Sequence, residues 1–180
     1  MDYLLLLRGI NVGGNNHVAM PKLKKMLTEA GFKNVDTYIN SGNIFIMGNV
    51  DQLTAEQMVA EVLKKNFDFA IDFRLISKEA FLLDLKQAPD WWGQDQELRH
   101  NAVFKLNDYK AVNDDWLKEN ATEDYDKVLI TPNIIFWTST KKKDHSKSFY
   151  SKIGGSDLYK QTTARNFNTT KKIEKMFAER

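Results

Sequence analysis

Four consecutive leucines, Leu4-Leu5-Leu6-Leu7, constrain this chain more than any other stretch. Successive side chains of a strand point to opposite faces of a sheet, so an apolar run requires cover on both. Tyr3 to Arg8 reads as such a strand, and Ile44 to Met47 and Ile134 to Trp137 repeat the pattern. Each sheet's second face therefore needs a cover, and the simplest one is the other half of the chain. At 180 residues there is length for one domain with a substantial core or for two small ones packed together.

The order of elements narrows the fold. After a glycine-rich turn, Pro21 suits a first helical position, and Leu23, Met26, Leu27 and Ala30 recur at helical spacing before Gly31 closes the helix. Val35 to Ile39 and Ile44 to Met47 form a hairpin around Asn40-Ser41-Gly42-Asn43. Thr54-Ala55-Glu56-Gln57 fits a capping box, stapled by Leu53 and Met58, for a helix carrying Ala55, Val59, Val62 and Leu63 on one face. Ile71 to Ile76 is a fourth strand, and Ser77 caps a short helix through Leu85.

Residues 87–99, with Pro89, Trp91, Trp92 and Gly93, break the pattern as a linker whose tryptophans need something to pack on. The order then restarts. Ala102 to Leu106 is a strand, Asp108 caps a helix bearing Val112, Trp116 and Leu117, and a second hairpin joins Val128–Ile130 to Ile134–Thr138 around Thr131-Pro132-Asn133. A last helix runs from about Thr170 to Ala178, capped by Asn168 or Thr169. The fold class expected is α+β: tandem ferredoxin-like (β-α-β-β-α-β) half-domains packed together, the second partial or modified. The divisions are 1–86, a linker at 87–99, and 100–180.

Composition sets the class of partner. There is no cysteine, hence no disulfide framework, thiolate metal site or thiol nucleophile. The apolar run behind Met1-Asp2-Tyr3 is too short for a signal peptide or a membrane span, so a cytoplasmic protein without membrane contact is expected, as monomer or homodimer. Net charge is +2, but residues 1–90 balance at −1, 91–138 at −4 and 139–180 at +7. A basic tail of that density can meet nucleic-acid phosphates over residues 141–175. Its plainer reading is a solvated helix face plus the lysine-rich loop Lys141-Lys142-Lys143.

The polar motifs gather by topology. In a ferredoxin-like sheet the end of strand one and the tip of the following hairpin share an edge. Arg8-Gly9-Ile10-Asn11-Val12-Gly13-Gly14 leaves from that edge and Asn40-Ser41-Gly42-Asn43 turns there. Glycines let backbone N–H groups approach an anion closely, but the spacing is neither a dinucleotide fingerprint nor a P-loop. The competing reading is that the glycines serve a tight turn. Candidate ligand contacts are Arg8 as an anion fork, Gly13 and Gly14 as backbone donors, and Asn11, Ser41 and Asn43 as orienting hydrogen-bonders. A second concentration, Thr163-Ala164-Arg165-Asn166-Phe167-Asn168-Thr169, offers Arg165, Asn166 and Asn168 just ahead of a helix start. Its competing reading is a surface ion pair with caps. His17 is a lone histidine in a polar loop. No nucleophile–base pair and no metal-ligand spacing stands out, and no cofactor is called for. An RRM-like mode is disfavoured, because strand three offers only Phe45 and strand one holds leucines.

These three motifs, Arg8–Gly14 with Met20 and Leu23, Tyr38–Asn43 and Thr163–Thr169, resemble a bacterial family known only as a domain of unknown function. The resemblance spans nearly the whole chain and implies ferredoxin-like units and a bacterial cytoplasmic setting. It brings no activity, cofactor or catalytic residue. Phe167 stands where the family usually has tryptophan, and His17 falls at a variable position. Ser146-Lys147 resembles a less distinct Ser-Lys element of the family and joins the candidates. Ranked, the readings are a phosphate-bearing small molecule or nucleotide at the sheet edge, then nucleic acid along the basic tail. Last comes an interaction module whose motifs are purely structural.

Overall fold

The computed structural model describes residues 1–140 and 142–180, so the expected Lys141-Lys142-Lys143 loop lies outside the described residues and side chains. The chain forms two compact units, residues 1–81 with Arg180 and residues 82–179. The first contains β1 (Asp2–Leu7), α1 (Met20–Glu29), β2 (Lys33–Tyr38), β3 (Asn43–Met47), α2 (Gln52–Asn66) and β4 (Phe73–Ser77), followed by α3 (Lys78–Leu85) across the boundary. Its sheet has the order β2-β3-β1-β4 with every neighbour antiparallel. That is the ferredoxin-like order. Leu5 and Leu7 pack with Leu23, Leu27, Val59 and Ile44 under the helices, while Leu4, Leu6 and Phe45 on the opposite face are equally buried. No base-stacking surface is exposed on β1 or β3.

Local chemistry explains the helix ends. Gly31, at φ +102°, takes the left-handed position after α1; its N–H donates to Thr28 O (3.0 Å) and the Phe32 N–H to Leu27 O (3.2 Å). The capping box expected at Thr54 is displaced by three residues. Asp51 is the N-cap, and its carboxylate accepts from the Thr54 N–H (3.0 Å) and hydroxyl (2.9 Å). An aspartate competes well with threonine for this place, and both hydrogen bonds hold its pKa below the usual carboxylate range.

The second unit runs β5 (Arg99–Lys105), α4 (Val112–Asn120), β6 (Asp126–Ile130), β7 (Ile134–Ser139), 3-10 turns at Lys142–Lys147 and Phe149–Lys152, α5 (Asp157–Lys160), β8 (Thr162–Asn166) and α6 (Phe167–Ala178). Its sheet order, β6-β7-β5-β8, repeats that of the first unit. The repeat extends to single hydrogen bonds. Leu7 N–H donates to Gly42 O and Arg8 N–H to Asp72 O in the first unit; Lys105 N–H donates to Asn133 O and Leu106 N–H to Gln161 O in the second. The chain is therefore a tandem ferredoxin-like α+β protein.

Three expectations are corrected here. Residues 162–166 are a strand paired with β5, because Thr163 and Arg165 turn inward in period-two alternation although neither is apolar. The last helix consequently starts at Phe167, and Asn166 rather than Asn168 or Thr169 caps it, accepting from the Thr169 N–H at 2.8 Å. Helix α4 starts after Ala111 with no side-chain cap, so Asp108 does not cap it and Val112 is solvent-exposed. Trp92 meets the need read from the linker: it packs edge-on against Phe136 and Phe167, and its Nε1–H donates to Asn101 O (3.0 Å). Among the described residues no helix is long and apolar enough to cross a membrane.

Candidate functional site

In the first unit the glycine turn folds as a miniature hairpin standing off the sheet edge. The Asn11 N–H donates to Asn16 O and the Asn15 N–H to Val12 O, each at 3.1 Å. At its tip Gly13 (φ +60°) and Gly14 (φ +80°) adopt the left-handed pair of a type I′ turn. Tight-turn geometry thus accounts for both glycines. An added Cβ on either would meet nothing within 4 Å, so the side-chain direction at both is open.

Asn11 ties this hairpin to its neighbour. Its Oδ1 accepts from the Val18 N–H (2.8 Å), while its Nδ2 donates to Val18 O (2.9 Å) and to Asn40 O (2.8 Å). The last of these bonds joins the two motifs. Gly42 presses so closely on β1 that an alanine Cβ would sit 2.7 Å from Leu7 Cβ. Asn43 is buried, its Nδ2 donating to Tyr38 O (3.1 Å) and Ser41 Oγ (3.0 Å). Arg8, half-buried at the same edge, has Nη1 3.9 Å from Asp72 Oδ2. Between the turns Ile39 holds φ +50°, a conformation that costs a β-branched residue on the order of 1–2 kcal/mol. Strained residues of this kind gather at functional sites. His17 lies exposed in the loop beyond the hairpin.

The third motif belongs to the second unit. Arg165 is buried on β8, donating from Nη1 to Thr163 Oγ1 and to Ala164 O, each at 2.9 Å. Burial of its cation pulls its pKa down to about 10. The Asn166 carboxamide is engaged in the α6 cap, and Asn168 is exposed two residues further on, in the first turn. Asn166, Phe167 and Asn168 line a cleft of about 590 Å³ with Gly93, Arg99 and His100. The His100 ring nitrogens lie 2.7 Å from Thr138 Oγ1 and 2.6 Å from Asp95 O, so the imidazole bridges β5, β7 and the preceding loop. Sequence reasoning missed Gly93 and Arg99 as wall residues. The signal for Gly93 was its place beside two tryptophans: at φ +92° its missing Cβ would lie 2.2 Å from the Phe167 ring.

Ser146 and Lys147 are exposed in the first 3-10 turn. Lys147 Nζ lies 2.9 Å from Asp144 Oδ1 and over the Tyr125 ring, and the Asp144 hydrogen bond raises its pKa. Lys171 likewise pairs with Glu174, so part of the basic region's charge is balanced locally. Among the described residues no group of three or more histidine, aspartate or glutamate side chains is placed to hold a metal ion.

Comparison with known proteins bears on the fold. The chain is similar to the solved structure of conserved bacterial protein SP0830 from Streptococcus pneumoniae, with 31% identity, 98% of each chain covered and a TM-score of 0.89. No curated protein matches. A family model covering residues 1–147 does match, spanning the first two motifs and ending before the third. The chain belongs to the family described as protein of unknown function, DUF1697.

Proposed function

We propose that the protein binds a phosphate-bearing small molecule or nucleotide at the sheet edge of its first unit. The observation that carries this reading is the hydrogen bond from Asn11 Nδ2 to Asn40 O, which fixes two polar turns side by side next to Arg8. Arg8 supplies a planar fork matched to phosphate oxygens, and Gly13 and Gly14 supply backbone N–H groups at a turn where an added Cβ would meet nothing within 4 Å. The Ser41 hydroxyl adds a short polar contact at the exposed tip of the second turn. Asn11 and Asn43 act here as positioning residues, because their amides are engaged in holding the two turns. Arg165, Asn166 and Asn168 are not required by it, since the first two are engaged within β8 and the α6 cap.

The test is thermal stability and calorimetry of the whole chain titrated with inorganic phosphate and with a nucleoside monophosphate. Saturable binding is expected, with stabilisation of about 2.7 kcal/mol at a ligand concentration one hundred times Kd. Arg8→Ala weakens both ligands, and His17→Ala changes neither. Binding unchanged by Arg8→Ala refutes the reading.

A further inference from the structure

A second cavity lies wholly within the second unit, away from the cleft at α6 but sharing Arg99 with it. Its volume is about 290 Å³, at the small end of the range of roughly 300–1,000 Å³ usual for small-molecule sites. The floor is a cross-strand pair, Val103 on β5 directly opposite Ala164 on β8. Above it sit Ile153, the phenol rings of Tyr150 and Tyr159, and His145 from the first 3-10 turn. Tyr150 is held by its ring, which meets Trp137 edge-on at 5.0 Å. The site thus has a rigid apolar body.

Its lining carries one formal charge, that of Arg99, beside the His145 imidazole and the hydroxyl-bearing side chains of Tyr150, Ser151, Tyr159 and Thr162. Arg99 forms no ion pair among the described residues, and no aspartate or glutamate lines the cavity. His145 Nδ1 is buried without a hydrogen-bond partner. Burial raises the Tyr150 phenol while the charge of Arg99 draws it the other way, so the guanidinium's field reaches into the same cavity.

We propose that this cavity binds a small aromatic monocarboxylate, with its carboxylate on Arg99 and its ring over Val103 and Ala164. One cation suits a monoanion, and an arginine fork accepts a carboxylate through two parallel hydrogen bonds. A phosphate dianion does not fit, because a single cation among apolar walls leaves its charge poorly compensated. The size admits a single ring with short substituents and excludes a nucleotide. This site is separate from the sheet edge of the first unit, and its test is read independently.

The experiment titrates the whole chain with benzoate, benzyl alcohol and inorganic phosphate, following intermolecular NOEs and calorimetric affinity. Expected are NOEs from the benzoate ring protons to the Val103 and Ala164 methyls, with benzyl alcohol binding about tenfold more weakly for want of the charged contact. Arg99→Gln weakens benzoate by about tenfold and leaves benzyl alcohol unchanged. Ala164→Phe fills the floor and abolishes both. Phosphate does not displace benzoate. Absence of the wild-type NOEs overturns the proposal without reliance on any variant, as does equal affinity for benzoate and benzyl alcohol. Displacement by phosphate overturns the assignment of ligand class.

Discussion

Gly42→Ala measures how tightly the sheet edge of the first unit is built. Two costs add. At φ +76° an alanine takes the left-handed conformation, worth about 1–2 kcal/mol. Its Cβ would also fall 2.7 Å from Leu7 Cβ and 3.0 Å from Ile10 Cδ1, well inside the roughly 3.5–4.0 Å at which carbon atoms attract. Leu7 cannot yield, since it is buried in β1 and paired with Phe73 of β4. Overpacking of that kind costs about 1–3 kcal/mol. The sum is about 2–5 kcal/mol, or a fall in Tm on the order of 10 °C for a chain of this size. Gly13→Ala is the matched control: its φ is +60°, yet nothing lies within 4 Å, so only the conformational cost applies. Thermal and urea unfolding followed by far-UV circular dichroism compares the two. Trimming the Leu7 side chain brings no recovery, because its Cβ remains. If the two variants agree within about 0.5 kcal/mol, the close approach of the hairpin to β1 is wrong.

Two further outcomes follow from the second unit. Gly93→Ala drives a methyl into the Phe167 ring and costs about 3 kcal/mol, and Phe167→Leu recovers at least about 1 kcal/mol of it in a double-mutant cycle; strictly additive losses contradict the contact. Tyr109 is held above the ordinary phenol range by burial first, and then by donating to Asp114 Oδ1 at 2.6 Å. The folded chain therefore keeps a proton that the unfolded chain loses above about pH 10, so this contribution is full below pH 10 and falls away as pH rises past it. Arg165, drawn down to about 10, works in the opposite sense, its burial penalty easing above that pH. Urea midpoints at pH 8 and pH 11 should differ less in Tyr109→Phe than in the wild type, and an unchanged difference contradicts the linkage.

The sequence made the strand order legible because it is written in apolar residues. Leu4–Leu7, Ile44–Met47 and Ile134–Trp137 announce themselves, and the shared edge of the first two motifs follows from topology alone. β8 was hidden because its inward positions are Thr163 and Arg165, which read as polar and carry no hydrophobic alternation. The caps slipped for a related reason: several capping residues stand within a few positions of one another, and only the backbone decides between Asp51 and Thr54 or between Asn166 and Asn168. Asn11 could be named as a polar group at the edge, but its engagement with Val18 and Asn40 depends on a loop conformation with φ +55° that no spacing rule supplies. The cavity at Arg99 was out of reach, since β5, β8 and the 3-10 turns that wall it are far apart in sequence.

In the function proposed, the edge carrying Arg8, Gly13, Gly14 and Ser41 receives a phosphate group. Two-dimensional amide NMR of the whole chain, titrated with inorganic phosphate, tests it most directly. Saturable shifts are predicted at the Gly13, Gly14 and Ser41 amides and at Arg8 Nε, and they vanish in Arg8→Ala. Amides at 8–16 and 40–43 that stay in place through the titration contradict the claim.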